Sequence, residues 1–384
     1  MSENKTPLIV SKASLNRIIV IRLLLMNDTK KNTNQRQQQI WRFLQRETAV
    51  GPSHMLEQLQ TLLSPTELPS LITVKRDLDV LTELGYCTRE GAGRATGYRL
   101  TQHGVLLRPF DLNEYVQTPP DTRARYKTFD FTLFNEIPST LFDEDTTQEI
   151  EAHTTAYRAR HSTASQTVRA KELERFVIEL SWKSSAIEGN TYSLLDTERL
   201  LKEGILAPGH DPAEATMIIN HKTALRFVTE HLAHQNLITL DQRLVEQIHE
   251  LLVTDLDVTT GPRKTLVGIT GSAYTPLDNQ YQIREALDAL YGAIERVAHP
   301  VEKALLTLVG ISYIQPFEDG NKRTARLASN ALLIAHNCAP LSYRNVDIER
   351  YRSAMLVFYE QLSLAAVQEI FLDQYRFSAK NYLV

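Results

Sequence analysis

Gln315-Pro316-Phe317-Glu318-Asp319-Gly320-Asn321-Lys322-Arg323-Thr324-Ala325-Arg326 is the stretch on which the reading of this chain turns. From Asp319 to Arg326 it gathers an acid, a glycine, an amide and three cations. Apolar runs of helical type flank it, at 304–314 and 327–335. Pro316 and Gly320 break the pattern, so the stretch reads as a loop that opens a second helix. The first backbone N–H groups of such a helix lack internal acceptors and are free to face an anion. Gly320 takes positive φ without steric cost, which curls successive amides into a nest. Arg323 and Arg326 are three apart and are expected to share a helix face and point at one ligand. Asp319 lies at the mouth, where a hard divalent cation bridging phosphates takes a carboxylate oxygen. The composition is that of a polyanion cradle; taken alone, such a loop reads first as a polar helix–loop–helix corner with solvated charges, and the rest of the chain overturns that reading.

The stretch resembles the active-site loop of the Fic/Doc (Fido) family, H-x-F-x-[DE]-[AG]-N-[GK]-R-x-x-R. Ser184-Ser185-Ala186-Ile187-Glu188-Gly189-Asn190 is similar to that family's inhibitory-helix motif, [ST]-x-x-x-E-[GN]. Ile269-Thr270-Gly271-Ser272-Ala273-Tyr274-Thr275-Pro276 resembles its target-docking hairpin, or flap. The three stand in the order expected when the inhibitory helix precedes the core, and the resemblance spans about 110–380.

The resemblance implies a nucleotide site for ATP and Mg²⁺ and transfer of AMP to a Tyr, Ser or Thr hydroxyl of a protein, another or itself. It implies that Asp319 holds the metal, that Gly320 and Asn321 present amide groups to the phosphates, and that Arg323 neutralises the outer phosphates. Phe317 anchors the loop. Glu188, seated with Ser184 on an inhibitory helix at about 167–189, pairs with Arg326 and occupies the γ-phosphate's place. Backbone groups around Ile269, Gly271, Ser272 and Tyr274 pair edge-on with an extended target segment, as strand addition does.

The chain departs from the pattern at its first position, where Gln315 replaces the histidine that deprotonates the target hydroxyl. A carboxamide oxygen accepts a hydrogen bond but has no useful basicity near neutral pH. Lys322 is a second variation: many nucleotidylating members have glycine there and Doc-type members have lysine, so the nucleotide's orientation stays open. His221 and His249 lie inside apolar helical patterns and read as structural.

The composition is that of a soluble globular protein: 42% hydrophobic and 23% charged over 384 residues, enough for two or three domains. Two cysteines, Cys87 and Cys338, are too few for a disulfide framework or a zinc site and suit a reducing cytoplasm. The run 18–26, Ile18-Ile19-Val20-Ile21-Arg22-Leu23-Leu24-Leu25-Met26, is short and carries an arginine at its centre. It reads as a buried helix or arm, and no membrane segment is expected. The net charge of −4 is uneven: residues 1–104 hold 14 basic against 9 acidic side chains, +5 net, which leaves −9 for the rest. A basic front on an acidic body points to a polyanion partner at the front alone.

The expected architecture is mainly α. It has an all-helical Fic/Fido core at 145–384 with a small β-hairpin flap, an ordered connector at 105–144 rich in proline and aromatics, and an N-terminal winged helix-turn-helix domain at 1–104. In that domain two amphipathic stretches are followed by a helix at 70–81, with Ser70 as N-cap and Gly85 as its end. Two strands then flank the glycine-rich turn at 90–95. Thr73-Val74-Lys75-Arg76-Asp77-Leu78 resembles the recognition helix of DeoR-type repressors, which implies that Thr73, Lys75 and Arg76 lie along the major groove and Arg94 at the wing tip. The same charges also suit a winged helix used for protein contact. A modest basic excess calls for a homo-oligomer to reach useful DNA affinity. Three functions follow: an autoinhibited AMP-transferring protein coupled to DNA; a catalytically silent, nucleotide-sensing transcription regulator, favoured by Gln315; and a Doc-like kinase, hinted at by Lys322.

Overall fold

The segment Pro300–Ile314 is apolar on every side, and a helix of that kind is stable only when surrounded. In the computed structural model, which describes residues 33–61, 63–233 and 240–384, nearly all of this helix is buried. The run at 18–26 lies outside the described residues. The chain divides into two compact units, residues 1–101 with 142–149 and residues 102–141 with 150–384.

In the first unit, α1 (Gln35–Phe43), α2 (Pro52–Gln60) and α3 (Leu71–Glu83) precede a hairpin of β1 (Cys87–Glu90) and β2 (Gly97–Leu100). The strands are antiparallel, with Cys87 opposite Leu100 and Glu90 opposite Gly97, and Val50 adds an antiparallel bridge to Tyr98. Ser70 caps α3 by accepting from the Thr73 amide, and Gly85 leaves it at φ 76°. Val74, Leu78 and Leu81 fill the inner face of α3. Asp77 joins them because Arg36 Nε (2.5 Å) and Gln37 Nε2 (3.0 Å) satisfy its carboxylate. Leu71 is only half-buried.

In the second unit, short turns α4 (Gln102–Leu106), α5 (Leu112–Gln117) and α6 (Pro120–Arg123) lead into the helical body. Here Phe129 stacks on Tyr313 at 5.0 Å and the Leu141 amide donates to Glu302. The remaining helices are α7 (Glu144–Thr163), whose residues 144–149 count with the first unit, α8 (Gln166–Ile187), α9 (Leu194–Glu203), α10 (Pro212–Ala233), α11 (Gln242–Val253), α12 (Gln280–Arg296), α13 (Pro300–Ile314), α14 (Asn321–Ala335), α15 (Ile348–Gln361) and α16 (Ala365–Asn381). α13 and α14 form the central pair, and α8, α10 and α11 pack on α14. Among the described residues no helix is long and apolar enough to cross a membrane.

One expectation is corrected. Residues 261–276 form no β-hairpin. They hold a turn from Ile269 to Ser272 and a single parallel bridge, Thr275 to Thr128. Pro262 and Pro276 remove ladder donors. The Gly271 carbonyl accepts from Arg123 Nη2 (2.6 Å) and the Ser272 hydroxyl donates to Glu360 (2.7 Å), so groups that would face a partner strand are tied elsewhere.

Candidate active site

The cradle begins where α13 stops. Gln315 caps that helix in the left-handed region, at φ 51° and ψ 60°, a conformation non-glycine residues hold only when their surroundings fix it. Arg263 supplies much of that constraint. Its Nε donates to the Gln315 carbonyl (2.6 Å), its Nη1 to the Thr265 carbonyl (2.7 Å), and its amide to the Pro316 carbonyl (2.9 Å). The Gln315 carboxamide nitrogen donates to the Ser312 carbonyl (2.7 Å), which leaves its oxygen as the free acceptor.

Phe317 is 1% exposed and stacks on His249 at 3.7 Å. The same ring's Nε2 donates to the Asp319 carbonyl at 3.0 Å. Burial pushes the His249 imidazole down to about 4, so near neutral pH it is an uncharged brace. Asn321 closes the loop, its Nδ2 donating to the Phe317 carbonyl (2.7 Å) and its Oδ1 accepting the Phe317 amide (2.8 Å). The side-chain amide is therefore spent on loop shape. Gly320 sits at φ 78° as the N-cap of α14, where a Cβ would meet Val253 at 3.1 Å. No side-chain cap fills the amides at the start of that helix.

These residues wall a cleft of about 200 Å³. Gln315 and residues 318–323 form one wall, 267–270 another, and Glu188 a third. Arg326 stands off this wall, 1% exposed. Its Nη2 donates to Glu188 Oε1 (2.7 Å) and the Ser184 carbonyl (2.9 Å), and its Nε to the Ser184 hydroxyl (2.8 Å). Lys322 Nζ lies 3.8 Å from the other Glu188 oxygen. Burial raises the Glu188 carboxyl, but the Arg326 and Lys322 charges outweigh it and hold the group below the usual carboxylate range. Burial lowers Arg326 and Glu188 more than restores it, so the guanidinium's pKa is raised. Glu188 is the C-cap of α8, an end where the helix dipole disfavours a carboxylate, and the two cations compensate.

Arg323 was expected to point with Arg326 at one ligand. Instead the two diverge, because each has its own acid: Arg323 Nη2 reaches Asp319 Oδ2 at 2.7 Å while Arg326 reaches Glu188. The Asp319 side chain is 68% exposed, and with one oxygen on Arg323 it can offer the other. Asp319, and beside it the exposed Glu318, offer carboxylate oxygen at the cleft, which fits Mg²⁺, an ion that keeps several waters and shares its shell with substrate phosphates.

Of the flap residues, Ile269 lines the cleft. Gly271, Ser272 and Tyr274 do not: Tyr274 is 2% exposed, stacked on Tyr313 at 4.6 Å. In the first unit Lys75, Arg76 and Arg94 are exposed and Thr73 is half-buried. The sequence reading missed Arg263 and the acid Glu360, which Arg123, Tyr115 and Ser272 all reach. Neither belongs to a motif quoted above, and only proximity in space reveals them.

Comparison with known proteins adds the class. Residues 239–333 match the model of the Fic/DOC family. "Protein adenylyltransferase fic-1" of Caenorhabditis elegans is 28% identical over 187 residues, 47% of this chain and 36% of its own length. "Protein adenylyltransferase Fic" of Nematostella vectensis is 30% identical over 174 residues, 44% of this chain and 40% of its own. The chain thus spans about two fifths of the length of the curated relatives it matches. A solved fragment of C. elegans Fic-1 superposes with TM-score 0.53 at 18% identity, covering 91% of this chain and 97% of the fragment. A Fic family protein from Desulfovibrio desulfuricans gives 0.52 at 20% identity, over 62% and 74%. The chain carries a Fic/DOC family domain, and the helical fold around it is the Fic fold.

Proposed function

We propose that the chain binds ATP with Mg²⁺ in the 319–323 cradle and transfers AMP to a protein hydroxyl, held back by Glu188. The observation that carries this reading is Glu188 on Arg326 beside an otherwise formed anion cleft. A carboxylate seated on a buried guanidinium is a placeholder for an anionic ligand. The curated relatives named protein adenylyltransferases give the reaction class. Asp319 holds the metal, the amides after Gly320 the phosphates, and Arg323 and a released Arg326 the outer charges. The chain acts in the cytoplasm, its two buried cysteines free. Labelling the Glu188→Gly chain and a cell lysate with ATP tests it. Incorporation from the α- but not the γ-phosphate supports AMP transfer, and the reverse supports the kinase reading. No incorporation by Glu188→Gly, with incorporation after adding Gln315→His, supports the silent regulator. That second reading is favoured by Gln315, which cannot take a proton.

The first unit is proposed as a winged helix that brings the protein, as a homo-oligomer, to DNA. The exposed Lys75 and Arg76 on α3 and Arg94 beside the hairpin support it. A gel shift with promoter DNA at low salt tests it: the wild-type chain retards the fragment and Arg76→Ala retards it less.

A further inference from the structure

Glu188 meets Arg326 only while the end of α8 keeps its place. We infer that Arg352 and Glu214 are positioning residues for this brake: they grip the chain on either side of Glu188, and loosening either grip opens the cleft to nucleotide. The inference rests on the reading of Glu188 as an autoinhibitory placeholder.

α8 ends at Ile187, and the last carbonyls of a helix have no partner within it. Arg352 of α15 takes up the Ile187 carbonyl with two donors, Nη2 at 2.5 Å and Nε at 3.1 Å. A guanidinium suits the place twice over, as a forked donor and as a positive charge at a helix C-terminus. Its Nη1 meets Glu349 at 3.2 Å, which helps to hold the plane of the fork.

Beyond Glu188 the chain turns at Gly189, φ 100°, and runs into the second grip. Glu214, in the first turn of α10, accepts the Thr191 amide at Oε1 (2.6 Å) and the Thr191 hydroxyl at Oε2 (3.1 Å). Its backbone carbonyl accepts Asn190 Nδ2 at 2.8 Å, and Asn190 Oδ1 accepts the Tyr192 amide at 3.0 Å. His210 Nδ1 lies 2.8 Å from the Thr191 hydroxyl and completes the cluster. Ile187 is thus pinned from α15 and residues 190–191 from α10, with Glu188 and one glycine between. Opening one grip frees the last turn of α8 to fray, as unsupported helix ends do. Neither Arg352 nor Glu214 lines the cleft, and their side chains are 44% and 18% exposed. The brake therefore has a handle that can be reached without entering the nucleotide site.

When the binding-competent state is a minor fraction, the apparent dissociation constant is the intrinsic one divided by that fraction. Removing one grip takes the net worth of a hydrogen bond from the seated state and raises the open fraction roughly two- to tenfold.

Isothermal titration of ATP·Mg²⁺ into the full chain tests this as a double-mutant cycle. Arg352→Ala and Glu214→Gln, each alone, are expected to lower the dissociation constant about two- to tenfold. Arg352→Lys, which keeps the charge and one donor, lowers it less and carries the test where a truncation fails to fold. In the Glu188→Gly background, with no brake left to position, none of the three changes the constant. Amide exchange at residues 186–191 rises in Arg352→Ala and Glu214→Gln. Wild-type affinity in both of these overturns the inference, and so does a change of equal size in both backgrounds, the mark of a merely structural role. Glu188→Gly with wild-type affinity overturns the placeholder reading and this inference together.

Discussion

Arg326 is 1% exposed and its charge is met by Glu188 at 2.7 Å, with Ser184 supplying two further acceptors. The pair sets nucleotide binding against helix anchoring. Removing the acid leaves a buried guanidinium with Ser184 alone, and an unmatched buried charge-assisted bond costs about 1–3 kcal/mol. Glu188→Gly is therefore expected to unfold at lower denaturant concentration than wild type. ATP·Mg²⁺ then supplies the missing anion, with affinity at least about tenfold above wild type, equivalent to ~1.4 kcal/mol. Isothermal titration of both proteins checks the affinity, and equal dissociation constants sink the placeholder reading.

The same pair fixes an acid dependence. The folded Glu188 carboxyl lies below its ordinary value of 4.5, so its contribution is complete above that value and disappears as pH falls through the folded one. His249 acts in a different window. Its folded value of about 4 lies below the ordinary 6.5, so the unfolded chain takes up the proton first and stability falls as pH drops from 6.5 towards 4. His249→Asn is expected to flatten the stability profile over that upper range, and Glu188→Gln only below it. Urea unfolding at a series of pH values separates the two, and parallel profiles for both variants contradict the assignment.

Asn321 offers a cleaner test of loop geometry, because both its hydrogen bonds run to one residue, Phe317. Asn321→Ala leaves a buried donor and a buried acceptor on the Phe317 backbone, at a cost of roughly 2–4 kcal/mol. Hydrogen exchange at residues 316–320 is expected to rise, and ATP·Mg²⁺ affinity of the Glu188→Gly background to fall about tenfold or more. Unchanged exchange with weakened affinity instead marks Asn321 as a direct phosphate ligand.

Local chemistry made much of this legible in sequence. Ser70 and Gly85 bound α3, Pro316 and Gly320 break the central pair of helices, and both follow from φ preferences and capping. Glu188 and Arg326 were expected to meet through the family motif alone, since 138 residues separate them and no periodicity links such distant positions. The flap was expected as a hairpin from the family motif alone, and Arg123 and Glu360 instead hold its Gly271 carbonyl and Ser272 hydroxyl through contacts made across long sequence separations. Arg323 meets Asp319 at the i,i+4 spacing that the sequence does offer, a pairing passed over in favour of a face shared with Arg326. Arg263 was invisible for a different reason: it is a lone arginine whose three bonds all run to backbone.

Position 315 is the last test. The backbone there is left-handed, a region in which histidine is tolerated better than most side chains, so Gln315→His fits without rebuilding the turn. One ring nitrogen can take over the donation to the Ser312 carbonyl that the carboxamide makes at 2.7 Å. The other is then unprotonated and faces the cleft as a base of near-neutral pKa, which glutamine cannot provide. In the Glu188→Gly background Gln315→His is expected to raise the initial rate of label incorporation by ~10²–10⁴-fold. The rate should acquire a pH limb near the ordinary histidine value, absent from the parent. A rise without that limb means the histidine acts by orientation, as the carboxamide oxygen does. No rise at all means the base is not what this cleft lacks, and the nucleotide's orientation beside Lys322 becomes the next variable to measure.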